Sequence, residues 1–187
     1  MLRTLERLTD YFRRIKTPRL ELVLGDITTI ASDAIVNAAK SSLLGGGGVD
    51  GAIHAAAGPG LLAECRAIRR TTRPDGLDTG GAVTTAAYDL PAQYVIHTVG
   101  PVFARQPYVS LLRSCYTRSL AAADELGCET VSFPLISAGV YGWPVPDAIV
   151  QASIAIGSFR ARHVRTVRLV LFDQRTYDLA RTVLGRP

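Results

Sequence analysis

Hydrophobic positions follow two patterns along the chain. Over the first 17 residues Leu2, Leu5, Leu8, Phe12 and Ile15 recur at helical spacing with Arg and Glu between them, and Pro18 closes the segment. This predicts an amphipathic helix over 1–17, docked on a domain that spans 18–187. Beyond Pro18, short apolar runs alternate with longer amphipathic ones. Strands are predicted at Leu20–Leu24, Ala34–Ala38, Ala82–Ala86, Tyr94–Val99, Val131–Leu135 and Val167–Phe172. Their apolar runs lack clean alternation, as expected of strands covered on both faces. Helices are predicted at Val109–Leu126, with Leu112, Tyr116, Leu120 and Ala123 on one stripe, from Pro146 toward Phe159, and at Thr176–Leu184. Alternating β and α elements predict a three-layer α/β domain. Ligands of such sheets sit in crevices at the carboxyl ends of strands.

Composition narrows the class. A chain of 187 residues, 48% hydrophobic and 20% charged, has an ordinary globular balance and room for one full core. No apolar run approaches the ~20 residues that span a bilayer, and Glu6 and Asp10 interrupt any secretory signal core. A cytoplasmic protein without a membrane partner is expected, and a monomer. Cys65, Cys115 and Cys128 show neither CxxC spacing nor a Cys/His pattern at metal-ligand spacing, so they read as buried thiols and no metal is expected. A net charge of +5 suits an anionic partner. Apart from Arg160, Arg162, Arg165 and Arg168, however, the basic residues are scattered, and that cluster reads as solvated surface. Of 21 basic side chains only Lys16 and Lys40 are lysines.

The strongest local feature is Gly45-Gly46-Gly47-Gly48-Val49-Asp50-Gly51-Ala52-Ile53-His54, which follows the strand Ala34–Ala38 and opens a short helix. Consecutive glycines let backbone amides approach a ligand closely. The helix start adds its positive dipole end, so an anion is the natural guest. Neither a Walker loop nor a dinucleotide fingerprint is present. A plain surface loop is the alternative, but the position between strand and helix favours phosphate binding. A second loop, Ser137-Ala138-Gly139-Val140-Tyr141-Gly142-Trp143, also leaves a predicted strand and precedes a helix. Its small residues suit another amide-lined anion cradle on the same rim. Tyr141 would cover a sugar face, whereas Trp143 reads as packing.

Charged candidates are few, and most have two readings. Asp50 is either an N-cap or a carboxylate beside a bound phosphate that orients water or ribose. His54, one turn later, shares its face and reads as a structural hydrogen-bonder. Asp26, in Gly25-Asp26-Ile27-Thr28, either caps a turn or accepts from a purine amine. His97 reads as a satisfied core or strand-end histidine. Ser137 has no evident His/Asp partner, so a serine triad is poorly supported.

Together these segments, with Asp33-Ala34-Ile35-Val36-Asn37-Ala38-Ala39, Ser41-Ser42-Leu43-Leu44 and Ile96-His97-Thr98-Val99-Gly100-Pro101, resemble the macrodomain family over residues 18–187. Within it they look most like the MacroD-type branch, which hydrolyses mono-ADP-ribose linkages and O-acetyl-ADP-ribose. The resemblance implies a three-layer α/β/α fold with a central mixed sheet, and a hydrolase that needs neither metal nor cofactor. ADP-ribose and mono-ADP-ribosylated proteins would be its ligands, the modified side chains being acidic. Nucleic acid is expected as a partner only where its end carries ADP-ribose. By resemblance, Asp26 accepts from the adenine amine beside the Ile27 amide, and Phe172 stacks on adenine. Gly47, Gly48 and Val49 hold one side of the diphosphate. Ser137, Ala138, Gly139, Val140 and Tyr141 hold the other, Tyr141 lying against the distal ribose. Asn37 supports the site from its strand end, and Asp50 is the principal catalytic carboxylate.

One position departs from the family pattern. The branch reads Asn-Ala-Ala-Asn where this chain has Asn37-Ala38-Ala39-Lys40. Lys40 either points to solvent or pairs with Asp50, leaving a reader of ADP-ribose with weakened catalysis, or replaces the Asn as a cationic donor, or acts as a nucleophile on the distal ribose. Lysine, unlike arginine, can lose its proton when desolvated. A carboxylate at Asp50 opposes that loss, so attack by water assisted by Asp50 ranks first and Lys40 as nucleophile second.

Overall fold

The computed structural model describes residues 15–186. The predicted N-terminal helix therefore lies outside the described residues except at its last three positions. There Lys16 is extended and bridges Ala161 in antiparallel fashion.

Six strands form: β1 (Arg19–Leu24), β2 (Ala34–Ala38), β3 (Ala82–Ala86), β4 (Tyr94–Thr98), β5 (Thr130–Pro134) and β6 (Thr166–Leu171). Every predicted strand is present with its ends within one residue of those read from the sequence. The described helices are α1 (Gly48–Ala57), α2 (Pro59–Thr71), α3 (Val109–Glu125), α4 (Val145–Ser158) and α5 (Gln174–Val183). Sequence reading did not single out α2, whose buried side carries only Leu61 and Cys65. Pro146 belongs to the first turn of α4, where its missing N–H breaks no helical bond. No described helix is long and apolar enough to cross a membrane.

The strands line up as β1-β6-β5-β2-β4-β3, in one mixed sheet. Neighbours run parallel from β1 through β4, and only the edge pair β3–β4 is antiparallel. The carboxyl ends of β1, β6, β5, β2 and β4 therefore share one rim, and the predicted site residues lie at the end of β2, in the loops that leave these strands and in the first turn of α1.

Both faces of the sheet are covered, which is why the strands show no polar alternation. Ala34 and Val36 of β2 with Phe133, Val167 and Leu169 face α3 and α4, which contribute Leu112, Tyr116, Leu120, Ile149 and Ile156. Ile35, Val95 and Val170 face the other way, against Ile53 of α1 and Leu61 and Cys65 of α2. Asn37 and His97 have the same parity as Ile35 and Val95, so they project from the α1–α2 face at its carboxyl end. Both are fully buried. Two polar side chains there need partners, because a buried donor or acceptor left unpaired costs about 1–3 kcal/mol. Asn37 Nδ2 meets both Asp50 Oδ1 and His97 Nδ1, and His97 Nε2 meets Thr85 Oγ1.

Candidate active site

The glycine loop leads from β2 into α1. Gly47 is the N-cap residue of α1 and offers no side-chain cap, so the amides of the first turn keep no side-chain partner. Asp50 lies in that first turn rather than at the cap. The capping reading of Asp50 is thus corrected: its side chain points into the protein and is 3% exposed. Close approach explains two of the glycines. A Cβ at Gly51 would lie 2.5 Å from the Gly46 carbonyl oxygen, so the loop rests directly on the helix backbone. A Cβ at Gly46 would meet Lys40 Nζ at 3.0 Å and Asp50 Oδ2 at 3.1 Å. The Lys40 amine and the Asp50 carboxylate therefore converge over Gly46 without forming an ion pair within 4.0 Å.

Behind Asp50 lies a chain of buried polar groups. Asn37 Nδ2 donates to Asp50 Oδ1 at 2.8 Å and contacts His97 Nδ1 at 3.1 Å. His97 Nε2 lies 3.0 Å from Thr85 Oγ1 and 3.7 Å from Cys65 Sγ. Burial, with His54 nearby, pushes the His97 pKa down to about 3, so the ring is neutral at physiological pH. His54 Nε2 sits 3.6 Å from Asp50 Oδ1, on the face the i, i+4 spacing implied. His97 is the satisfied core histidine expected from the sequence. What spacing could not show is that it touches Asn37. The two are opposite one another in the β2–β4 register.

That register also assembles a group with no sequence signature: one ligand atom each of His54, Cys65 and His97 lies within 4.8 Å of the others. Both nitrogens of His97 are already engaged, by Asn37 and Thr85, and a cation would have to displace one of them. Burial, then Glu64 and Asp50, raises the Cys65 thiol to about 11, so it stays protonated. All three cysteines are buried and free, as read from the sequence.

The second loop packs against the same end of the sheet. A Cβ at Gly100, just beyond β4, would collide with Ser137 Oγ and crowd Ile136 Cγ2 at 2.8 Å. Ser137 holds a left-handed φ of +66°, a conformation that costs a non-glycine residue about 1–3 kcal/mol and concentrates at functional sites. Trp143 is buried, as expected, stacked edge-on against Phe103 and donating from Nε1 to Asp147 Oδ2 at 2.7 Å. Burial and then the Asp50 carboxylate raise the Tyr141 hydroxyl pKa. Val140 is 99% exposed.

Between the loops runs a cleft of about 480 Å³, within the size range of small-molecule sites. Asp26, Ile27, Gly48, Val49, Ala138, Gly139 and Phe172 line it. Asn37, Lys40, Gly47, Asp50, Ser137, Val140 and Tyr141 do not; Gly47 and Asp50 flank Gly48 and Val49 in the chain, Ser137 and Val140 flank Ala138 and Gly139, Asn37 touches Asp50, and Lys40 lies over Gly46. Asp26 caps the short 3₁₀ turn after β1, its Oδ1 accepting from the Thr28 amide at 2.9 Å and hydroxyl at 2.8 Å. Of its two readings the turn cap is realised, and Asp26 faces the cleft as well. Phe172 was expected to end the last strand; β6 stops at Leu171, which leaves the ring outside the ladder and 81% exposed over the cleft.

Buried polar atoms without a hydrogen-bond partner concentrate here. Among the described residues they are Asn37 Oδ1, Asp50 Oδ2, His54 Nε2, Ser137 Oγ and Ser119 Oγ. All but Ser119 belong to α1, to the second loop or to the end of β2. Buried polar groups are almost always paired, so such a cluster marks a place built to receive polar groups from a ligand.

Comparison with known proteins agrees with this architecture. Residues 36–152 match the Macro domain family. A macro domain-containing protein of Streptomyces coelicolor is 54% identical over 167 residues, covering 89% of this chain and 98% of the relative. O-acetyl-ADP-ribose deacetylase 1 of Pantoea vagans is 49% identical over 165 residues, 86% of this chain and 95% of the enzyme. ADP-ribose glycohydrolase MACROD2 of Homo sapiens is 46% identical over 88% of this chain, which spans 38% of that protein. The solved Oceanobacillus iheyensis macrodomain with ADP superposes with a TM-score of 0.86 at 42% identity, covering 91% of this chain and 92% of that one. The chain belongs to the macrodomain family, on its MacroD-like side, and has that family's mixed six-stranded sheet between helical layers.

Proposed function

We propose that this protein binds ADP-ribose and hydrolyses its ester linkages, releasing mono-ADP-ribose from acidic side chains of modified proteins and acetate from O-acetyl-ADP-ribose. The observation that carries the reading is the set of unpartnered polar atoms at Asn37, Asp50 and Ser137, on the same rim of the sheet as the cleft, beside the residues Val49 and Ala138 that line it. The names of the Pantoea vagans and human relatives agree with it.

Each part of the ligand has a fitting surface. The exposed Phe172 ring offers a stacking face for adenine, and Asp26 and the Ile27 amide offer an acceptor and a donor at its edge. The α1 amides of Gly48 and Val49, with Gly47, present a positive helix end to the diphosphate. Ser137 through Tyr141 close over its other side. The distal ribose then reaches Tyr141 and Asp50. Asp50 Oδ1 is held by Asn37, so the free Oδ2 is the oxygen that takes a proton from the attacking water. The water oxygen bonds to the ester carbonyl carbon, the bond from that carbon to the ribose oxygen breaks, and the proton taken by Asp50 passes to that oxygen, so the acyl group leaves as a carboxylic acid and ADP-ribose departs.

Lys40 has its own observation. Its amine lies over Gly46 beside Asp50 Oδ2, close enough to donate to the ribose or leaving oxygen. The same position favours a second reading, attack by Lys40 itself on the ribose with a Schiff-base intermediate.

Single-turnover release of ADP-ribose from a glutamate-modified protein tests both. Wild type and Lys40→Asn are expected to turn over, and Asp50→Asn to bind ADP-ribose but turn over on the order of 10³-fold more slowly, the scale of a lost base. Full activity in Asp50→Asn overturns the water mechanism. Inactivity of both Lys40→Asn and Lys40→Ala, with borohydride trapping of wild type, establishes the lysine route instead. If wild type binds ADP-ribose and releases nothing, the protein is a reader.

A further inference from the structure

We infer that Thr85, on the far edge strand of the sheet, sets the position of the Asp50 carboxylate through His97 and Asn37. The inference rests on the reading of Asp50 as the working carboxylate.

Each link follows from donor and acceptor chemistry. Asp50 Oδ1 accepts at 2.8 Å from Asn37, so the Asn37 amide must turn its nitrogen, not its oxygen, toward the carboxylate. The second hydrogen on that nitrogen meets His97 Nδ1 at 3.1 Å. Nδ1 must therefore carry a lone pair. Because the ring is neutral, its proton sits on Nε2. Nε2–H is then the donor to Thr85 Oγ1 at 3.0 Å, and Thr85 turns its own hydrogen to the Val95 carbonyl at 3.4 Å. In a neutral imidazole the hydrogen bond at one nitrogen decides the state of the other. With its hydrogen committed to Val95, Thr85 offers Nε2 only an acceptor, and so favours the tautomer that keeps Asn37 correctly turned.

The opposite tautomer would reverse the whole chain. A proton on Nδ1 would face the Asn37 N–H head-on. The amide would have to rotate, aiming its oxygen at Asp50 Oδ1 and placing two acceptors in contact. The carboxylate would swing, and Oδ2 with it. Every member of the chain is buried: Thr85 is 2%, His97 and Asn37 0%, and Asp50 3% exposed. Water is thus poorly placed to substitute for a missing link. The sheet itself supplies the placement, since Asn37 is directly opposite His97, and Thr85 is its diagonal neighbour, facing Val95. Thr85 and His97 touch no ligand in this scheme; they are positioning residues.

The test separates this role from folding and from the catalytic reading. Thr85→Val keeps the shape and removes the hydroxyl acceptor, leaving Nε2–H only the weak Cys65 Sγ at 3.7 Å; Thr85→Ser keeps the hydroxyl. With Thr85→Val, kcat is expected to fall about 10- to 100-fold, the range for lost outer-shell orientation, with the dissociation constant for ADP-ribose within about twofold. Thr85→Ser should restore most of kcat. Independently of turnover, a long-range ¹H–¹⁵N spectrum of the imidazoles reads the tautomer. Wild type and Thr85→Ser should show His97 protonated at Nε2, and Thr85→Val should show the Nδ1–H form or a mixture. A wild-type His97 protonated at Nδ1 overturns the inference. So does a Thr85→Val protein with wild-type kcat and an unchanged tautomer. If the spectra behave as expected while Asp50→Asn retains activity, the hydrogen-bond chain stands and the reading of Asp50 falls.

Discussion

Replacing Gly51 by alanine should disable the site while leaving the fold nearly as stable. Gly51 is the fourth residue of α1 and has ordinary helical backbone, so alanine fits its dihedral angles. Its new methyl would lie 2.5 Å from the Gly46 carbonyl oxygen, where ordinary contact begins at 3.4 Å. Something must move by about 0.9 Å. The helix cannot withdraw, because Ile53 and Ala57 are fully buried beneath it. The exposed glycine loop yields instead, carrying Gly46 away from Asp50 Oδ2 and Lys40. A misplacement of about 1 Å can lower turnover on the order of 10²-fold, equivalent to about 2.7 kcal/mol of barrier. Stability moves less. Overpacking costs about 1–3 kcal/mol, and alanine's helix preference returns about 1 kcal/mol of it. At about 2–4 °C per kcal/mol for a domain of this size, Tm should fall by no more than about 8 °C. Calorimetric titration with ADP-ribose, single-turnover release and thermal unfolding measure the three quantities. Gly157→Ala in α4 is the control, since a Cβ there has nothing within 4 Å; its Tm should not fall and its activity should not change. Wild-type turnover and affinity in Gly51→Ala would refute the claim that the site depends on how the loop rests on α1.

Three further outcomes are expected. Phe172→Ala should weaken ADP-ribose binding by about 1–3 kcal/mol, the worth of one aromatic stack on a base, with little change in kcat and no loss of Tm; unaltered affinity would remove Phe172 from the site. His97 binds no proton when folded until the pH nears about 3, whereas the unfolded ring titrates near 6.5. Its neutral burial is therefore fully favourable above pH 6.5, and stability should fall with acidification by up to about 1.4 kcal/mol per pH unit between pH 6.5 and 4.5. Denaturant melts of wild type and His97→Gln across that range test this, and identical slopes would contradict it. Burial holds Cys65, Cys115 and Cys128 each up to about 11, so iodoacetamide at pH 8 should label the native protein slowly and the unfolded one fully, as followed by mass spectrometry.

How much the sequence disclosed varies with the range of the interaction. Local signals were sufficient for the strands, because two-sided burial leaves apolar runs such as Ala34–Val36 and Leu169–Leu171. They also marked both glycine-rich loops and therefore the rim. Helix α2 went unread because its buried stripe is short and Arg66, Arg69 and Arg70 dominate its composition. Asp50 kept two local readings, a cap or a carboxylate beside a ligand, because aspartate near a helix start suits both; only the fold brings Asn37, thirteen residues earlier, within reach of it. Thr85 carried no signal at all. Its role depends on β4 lying between β2 and β3, and strand order is a property of the whole chain. The exposure of Phe172 turned on a single residue, the point at which β6 releases the backbone.

The sheet order also dictates when the site can come into being. β1 has a single neighbour, β6, whose pairing joins Arg19 to Thr166 and Leu24 to Leu171. Such distant partners make contact order high and assembly slow. The wall of the cleft that follows these two strands, Asp26 on one side and Phe172 on the other, has no scaffold until the chain has been made past residue 171. The glycine loop and Asp50 belong to elements that can pair much sooner. A nascent chain would thus set Asp50 and the glycine loop in place before the cleft wall of Asp26 and Phe172 could close beside them.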